Sequence, residues 1–376
     1  MFERSRLGRR LQRASAAFDP AEAFLLNAAP ADYWDTADLK GIAAGGLVNE
    51  DVMQKIWDIS RIPLPFTDRV GTDTCDNSYS EWTEDALGAV NTGNKVVSGA
   101  DVSTYNSGSN GARKGNHCQN SVKNVAVTER AQSTDQIGRA DEYAYQLMMR
   151  QQELRRDVEA ICLFNQASVA DDNNATAGQS AGLPAWLTTN AQRGATGANG
   201  GFNTGTKLVA AATPGTARAL SFAYIKTAVE TAYLQNAESS ILMSVPEVTR
   251  RLGEFILGNP TTAKVATPTA NVQGSGDGVN QTAQGYVNVL VTDFGTTLEI
   301  VPNRLQQQTA GPRSDLFILD PSKLAIGYLK NYQTKPLAKL GLSERAQISV
   351  DWCLKVYVEK AQAVIADLTP TATVVA

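Results

Sequence analysis

The chain has 376 residues, a net charge of −4, 19% charged and 43% hydrophobic residues, enough for two to three domains at roughly 150 residues each. That balance argues against a basic nucleic-acid binder, and a single histidine, His117, leaves no imidazole for the triads, HExxH zinc sites and most acid–base schemes of hydrolases. Cys75, Cys118, Cys162 and Cys353 form no CxxC pair and are expected to be reduced; neither a run of ~18 apolar residues nor a secretory signal is present, so a cytoplasmic chain without a membrane partner is expected.

Residues 1–13 hold Arg4, Arg6, Arg9, Arg10 and Arg13 against Glu3, a charge of +4 that leaves −8 for the rest. Leu7 and Leu11 allow a short basic helix that would meet an acidic partner or a polyanion, and a solvated terminus is the alternative. Asn49 can cap a helix through Trp57, after which Ile62-Pro-Leu-Pro-Phe66 forces extended backbone. From Gly71 to Thr128 the chain is rich in Gly, Asn, Ser and Thr and reads as a long β excursion, too poor in apolar residues to bury itself and so expected to lie across something else.

The spacing of Leu147, Gln151, Leu154, Val158 and Ile161 predicts a helix over 138–166, with Arg155 and Glu159 as an i,i+4 pair. Its length would be ~43 Å. Residues 173–237 then carry only Arg193, Lys207, Arg218, Lys226 and Glu230 as charges. This stretch includes Gly182-Leu-Pro-Ala-Trp186 and a helix from Ser221 with Phe222, Ile225 and Val229 on one face. Ile241 to Met243 reads as a buried strand, and Pro246 starts a helix with Val248, Leu252 and Phe255 inside. After a loop near 271–284, Val287, Val289 and Val291 turn at Asp293-Phe-Gly295 into Leu298 and Ile300, a hairpin. Ile348, Val350, Trp352, Leu354, Val356 and Val358 alternate without a break, a strand of ~40 Å with one buried face.

No motif carries chemistry. Asp293-Phe-Gly295 lacks the other kinase elements, Gly274-Ser-Gly-Asp-Gly278 lacks the phosphate-loop lysine, and Asp171-Asp-Asn-Asn174 lacks the EF-hand glycine and glutamate. Trp82-Thr-Glu-Asp85 suits an interface anchor better than a glycosidase pair, and His117 beside Cys118 does not make a nucleophile–base pair. Cys75 and Cys118 are placed to face each other across a hairpin. No catalytic, cofactor or metal residues are predicted.

The order of these parts, with Ile62-Pro-Leu-Pro-Phe66, Glu81-Trp82, Asp85-Ala-Leu87, Glu153 to Glu159, Gly182 to Trp186, Asp293-Phe-Gly295 and Val301-Pro-Asn-Arg304, resembles the major capsid proteins of tailed bacteriophages. The resemblance covers roughly residues 50–368. It implies an α+β fold of the Hong Kong-phage type, shared by encapsulin shells. Implied parts are an N-terminal arm (1–70), an extended β-hairpin loop (71–128), and a peripheral domain (129–181) with a spine helix at 138–167. An axial domain would follow (182–285 and 305–345), with a peripheral hairpin (286–304) and a peripheral long strand to the C-terminus (346–376).

The implied function is self-assembly into pentamers and hexamers that form an icosahedral head around double-stranded DNA, in a virion assembled in the host cytoplasm. Implied inter-subunit contacts are Tyr79, Trp82, Asp85, Leu87, Arg150, Glu153 and Arg156, with Arg4, Arg6, Arg9, Arg10 and Arg13 facing DNA or scaffold. A family scaffolding domain of about a hundred residues has no room here, so a separate scaffolding protein is implied, with portal and decoration proteins as further partners. Two alternatives stand beside this reading: an encapsulin-like cargo shell, and a carbohydrate-binding or hydrolytic phage structural protein motivated by exposed Trp82 and Trp186 near acids.

Overall fold

A computed structural model describes residues 63–99, 101, 108, 111–134, 141–172, 174–258, 289–292, 295–306 and 313–375. The five arginines of the basic segment, the Asn49 helix and the 271–284 loop lie outside them. In chain order the elements begin with β1 (Gly71–Thr74), β2 (Tyr79–Glu84), β3 (Ala112–His117), β4 (Gln119–Thr128), α1 (Glu129–Ser133), α2 (Glu142–Cys162) and α3 (Leu183–Trp186). There follow β5 (Ala191–Gln192), β6 (Gly201–Asn203), β7 (Leu208–Ala210), α4 (Phe222–Leu234), β8 (Ile241–Ser244) and α5 (Pro246–Gly258). The last are β9 (Val289–Val291), β10 (Thr297–Pro302), β11 (Ser314–Leu319), β12 (Leu324–Leu337), β13 (Ser343–Val356) and β14 (Ala363–Leu368).

The alternation after residue 343 produces the predicted long strand, β13, which pairs antiparallel with β12 on one side and β4 on the other. With β1 parallel to β12, the four make a sheet in the order β1-β12-β13-β4. Ile348, Val350, Trp352, Leu354 and Val356 are fully buried and share one core with Leu154 and Val158 of α2, which lies across β4 and β13.

Asp141 caps α2 by accepting from the amide of Ala144 (3.0 Å), and Glu142 places a further acid in the first turn. The 21 residues of α2 span ~32 Å, shorter than the ~43 Å expected from 138–166. At the C-terminal end the chain returns across the helix: the Gly182 amide donates to the Gln166 carbonyl, and a Cβ at 182 would fall on the Phe164 carbonyl. Residues 138–140, at the other end of the expected helix, lie outside the described residues.

The second sheet has the order β5-β14-β11-β8-β10-β9. It packs on α4 and α5 through Ile225, Val229, Val248 and Leu252, the positions that helical spacing predicts, while Phe222 and Phe255 are half-buried and meet at 5.7 Å. The predicted hairpin is β9–β10, and Gly295 at its turn has φ 79°.

Sheet membership corrects the expected grouping. The hairpin of β9 and β10 joins the six-stranded sheet beside β8, not the sheet of β13; β12, expected with the axial segment 305–345, pairs with β13 from Leu324↔Val356 to Leu337↔Arg345. The segment after 346 does not stay in one sheet, because β14 leaves β13's sheet for β11. Alternation reports which side of a strand is buried and says nothing of its neighbour.

In the six-stranded sheet, Asp315 accepts from the amide of Asp367, whose own carboxylate accepts from the amides of Gly194 and Gly215. Burial, with the Asp367 charge adding to it, pushes the Asp315 carboxyl up to about 6. A folded-state value above the unfolded one means stability is fully present below about pH 4 and is lost as pH rises through about 6. Asp315→Asn is therefore expected to raise the stability of the unassembled chain by about 3 kcal/mol at pH 8 and by little at pH 4. Urea unfolding at both pH values checks this; an equal effect at both would place the ionisation elsewhere.

Candidate assembly interface

The β excursion divides into a stem and a tip. Strands β2 and β3 pair from Tyr79↔His117 to Glu84↔Ala112, with Lys114 and Glu84 in an ion pair (2.5 Å) near the tip. The outer parts of 71–128 are not free: β1 and β4 belong to the four-stranded sheet. Residues 85–111 are thus the part that, among the described residues, contains no strand.

Trp82 holds the stem to the body. Its ring lies 5.5 Å from Trp186 and 6.1 Å, edge-on, from Tyr357, and Trp186 stacks on Phe202 at 5.9 Å. Trp186 is 1% exposed, a correction to the expectation that it is exposed, because all of α3 is buried against β6, β7 and β13. Buried Asn116, opposite Ser80 in the stem, donates to the carbonyl of Leu354 (2.8 Å) and the hydroxyl of Ser180 (3.1 Å) and accepts from the Ala181 amide. Tyr79 is half-buried against His117, with ring centroids 4.6 Å apart, and desolvation raises its phenol while lowering the His117 imidazole.

The tip turns its apolar residues outward. Leu87 is 99% exposed, Val90 92%, and Val96 and Val97 each 81%. Asp85 is exposed and its carboxylate accepts the following amide, that of Ala86. Isolated exposed apolar side chains are ordinary, whereas here four fall within eleven residues on a held stem.

On α2, Arg150 donates to both oxygens of Glu153 at 2.6 Å, an intrahelical i,i+3 pair at the surface. Half-buried Arg156 has its Nε without an acceptor among the described residues. The expected Arg155–Glu159 pair does not form. Arg155 lies over the ring of Tyr332 (5.4 Å), whereas Glu159 is buried and accepts from the amides of Phe66 (2.8 Å) and Thr67 (2.7 Å) and from Asn303 Nδ2 (2.7 Å). Burial raises the Glu159 carboxyl above its ordinary value, and those donors pull it back down.

Two features escaped the sequence reading. Leu337, Leu340 and Leu342 are exposed at the β12–β13 connection, where Gly341 has φ 67°. Leucines flanking a glycine turn are the signal for that tip. The buried thiols of Cys75, Cys118 and Cys353 lie within 4.8 Å of one another, so Cys75 and Cys118 do meet, and a third thiol joins them. Spacing gives no sign of this, since they come from the end of β1, the β3–β4 junction and β13. Among the described residues, no helix is long and apolar enough to cross a membrane.

A family model described as the SU10 major capsid protein matches residues 35–369. No curated protein matches in sequence. Among solved structures, the capsid asymmetric unit of cyanophage A-1(L) is similar with a TM-score of 0.55 at 12% identity, covering 86% of this chain and 98% of that one. The capsid of a native GTA particle gives 0.53 at 11% identity, covering 89% and 99%. The holo-SrpI encapsulin complex of Synechococcus elongatus PCC 7942 gives 0.50 at 10% identity, covering 87% and 95%. At such identities the likeness establishes the fold, which is the α+β Hong Kong-phage type.

Proposed function

The chain belongs to the SU10 major capsid protein family and is a shell-forming protein, and from that premise we propose that its copies form pentamers and hexamers closing into an icosahedral head around double-stranded DNA. The observation that carries this reading is the apolar tip of residues 85–99, exposed in the single chain yet mounted on a stem fixed by Trp82 and Asn116. Burying such residues against a second copy gains about 2 kcal/mol per side chain, and repetition around closed rings multiplies the gain.

In this reading the four-stranded sheet and α2 form the peripheral domain, and the six-stranded sheet with α4 and α5 forms the axial domain around the symmetry axes. Arg150 and Glu153 at the surface of α2, and Arg156, whose Nε has no acceptor among the described residues, are contacts toward a neighbouring copy. The +4 segment 1–13 faces DNA or a separate scaffolding protein, while the remaining −8 limits non-specific adhesion to the genome. Portal and decoration proteins complete the expected partners. The carbohydrate-binding alternative loses its motive, because Trp186 is buried and Trp82 packs on it. The family match, to a major capsid protein, favours a phage head over an encapsulin.

The chain expressed alone, and with a candidate scaffolding protein, is expected to give capsomers or closed particles by negative-stain microscopy, with nucleic acid inside native particles. A monodisperse monomer under both conditions would overturn the proposal. Removal of residues 1–13 is expected to lower scaffold recruitment or DNA content without unfolding the chain; unchanged particles would remove the role given to the arginines.

A further inference from the structure

Three of the four thiols converge at the foot of the stem. Cys75 follows β1, Cys118 joins β3 to β4, and Cys353 lies in β13; all three are buried, and Cys75 Sγ is 3.4 Å from Cys353 Sγ. Gly327 of β12, directly opposite Cys353, makes this convergence possible. A Cβ there would clash with Cys75 Sγ and lie 3.4 Å from Cys353 Sγ.

A disulfide between Cys75 and Cys353 does not suit this arrangement, and one between Cys118 and Cys353, which adjoin the facing pair Gln119 and Trp352 on neighbouring strands, would leave the Cys75 thiol over. β1 and β13 flank β12 in the sheet, and two strand spacings come to ~9.5 Å. An unstrained disulfide needs Cα atoms within ~7 Å. A single ion suits it better: with metal–sulfur bonds of ~2.3 Å, three sulfurs sit ~3.8–4.0 Å apart, inside the 4.8 Å envelope of these thiols.

The donor set selects the ion class. Among the described residues the group holds sulfur alone, with no imidazole or carboxylate, which suits soft cations and not Mg²⁺ or Ca²⁺. Lys355, whose Cε also borders the space over Gly327, is held by Asp73 (2.7 Å) and the Thr74 carbonyl (2.8 Å) and supplies positive charge beside thiolates. Cys118 lines a cavity of about 520 Å³ with Ser78, His117, Asp171 and Asp351, a route for an ion and room for a fourth, exogenous ligand.

We propose that Cys75, Cys118 and Cys353 form a three-sulfur site for a thiophilic d¹⁰ cation, Zn²⁺ or Cu⁺, that ties β1, the β3–β4 junction and β13 together beneath the stem. The full chain, purified reduced and without oxygen, is titrated with Zn²⁺ and separately with Cu⁺ against a competing chelator. One equivalent of either ion per chain is expected, with X-ray absorption showing three sulfurs at ~2.3 Å. Cys353→Ser is expected to lower the bound metal to under a tenth, and Cys162→Ala to leave it unchanged. If Cys353→Ser fails to fold, Co²⁺ titration of the unaltered chain decides, through thiolate-to-cobalt charge-transfer absorption. Binding of either ion with this signature supports the site, and which one binds identifies it. Absence of stoichiometric binding of both, a first shell of nitrogen and oxygen, full retention by Cys353→Ser, or a disulfide between any two of Cys75, Cys118 and Cys353 in the purified chain would overturn it.

Discussion

Glu159→Ala is expected to destabilise the unassembled chain by about 4 kcal/mol, a large share of the 5–15 kcal/mol that a typical fold possesses. Three donors converge on this carboxylate: the amides of Phe66 and Thr67, in the turn that follows Pro63 and Leu64, and the side chain of Asn303 beyond β10. Removing the acceptor strands all three, and each buried unsatisfied donor costs about 1–3 kcal/mol, less where water can enter. Glu159→Gln keeps one acceptor oxygen and turns an NH₂ toward a donor, so an intermediate loss is expected. Urea unfolding of the three proteins measures the effect, and a loss below 1 kcal/mol for the alanine variant would show that this carboxylate does not join the three segments.

The second large effect concerns assembly alone. Replacing Leu87, Val90, Val96 and Val97 together by Ser is expected to leave the stability of the single chain within about 0.5 kcal/mol, because all four face solvent there. Association would lose on the order of 6 kcal/mol per loop, more than a ten-thousandfold weakening of each contact. Sedimentation velocity at concentrations where the unaltered chain forms shells is then expected to show monomers or isolated capsomers. Shells of normal yield would mean that the tip is not a principal contact. The substitution separates folding from assembly in a way that changes at Trp82 would not, since Trp82 packs within the chain on Trp186 and Tyr357.

Elements with a strong period were legible from the residues. The unbroken alternation from Ile348 to Val356 became β13, and the apolar faces of α4 and α5 hold Ile225, Val229, Val248 and Leu252 in the core. What periodicity could not convey was adjacency. β12 begins with four buried residues and ends exposed, a pattern that does not announce a partner, so its pairing with β13 was missed. Glu159 sits at i,i+4 from Arg155 and looks like a surface pair, yet the helix turns it inward to amides more than 90 residues away. The three cysteines are legible only after the register of β1, β12 and β13 is known, because Gly327 matters to them through space and not through spacing. Trp82 in a polar stretch reads as an anchor between subunits, whereas within the single chain its ring packs on Trp186, a contact that the spacing of the two residues does not announce.

A photo-activated cross-linker placed at position 87 in assembled particles tests the central claim most directly. The expected product is a covalent pair of chains, with the tip of one copy joined to a surface peptide of another at high yield. Cross-links confined to the same chain, or their absence in intact particles, would contradict the reading of residues 85–99 as the surface that binds one copy to the next.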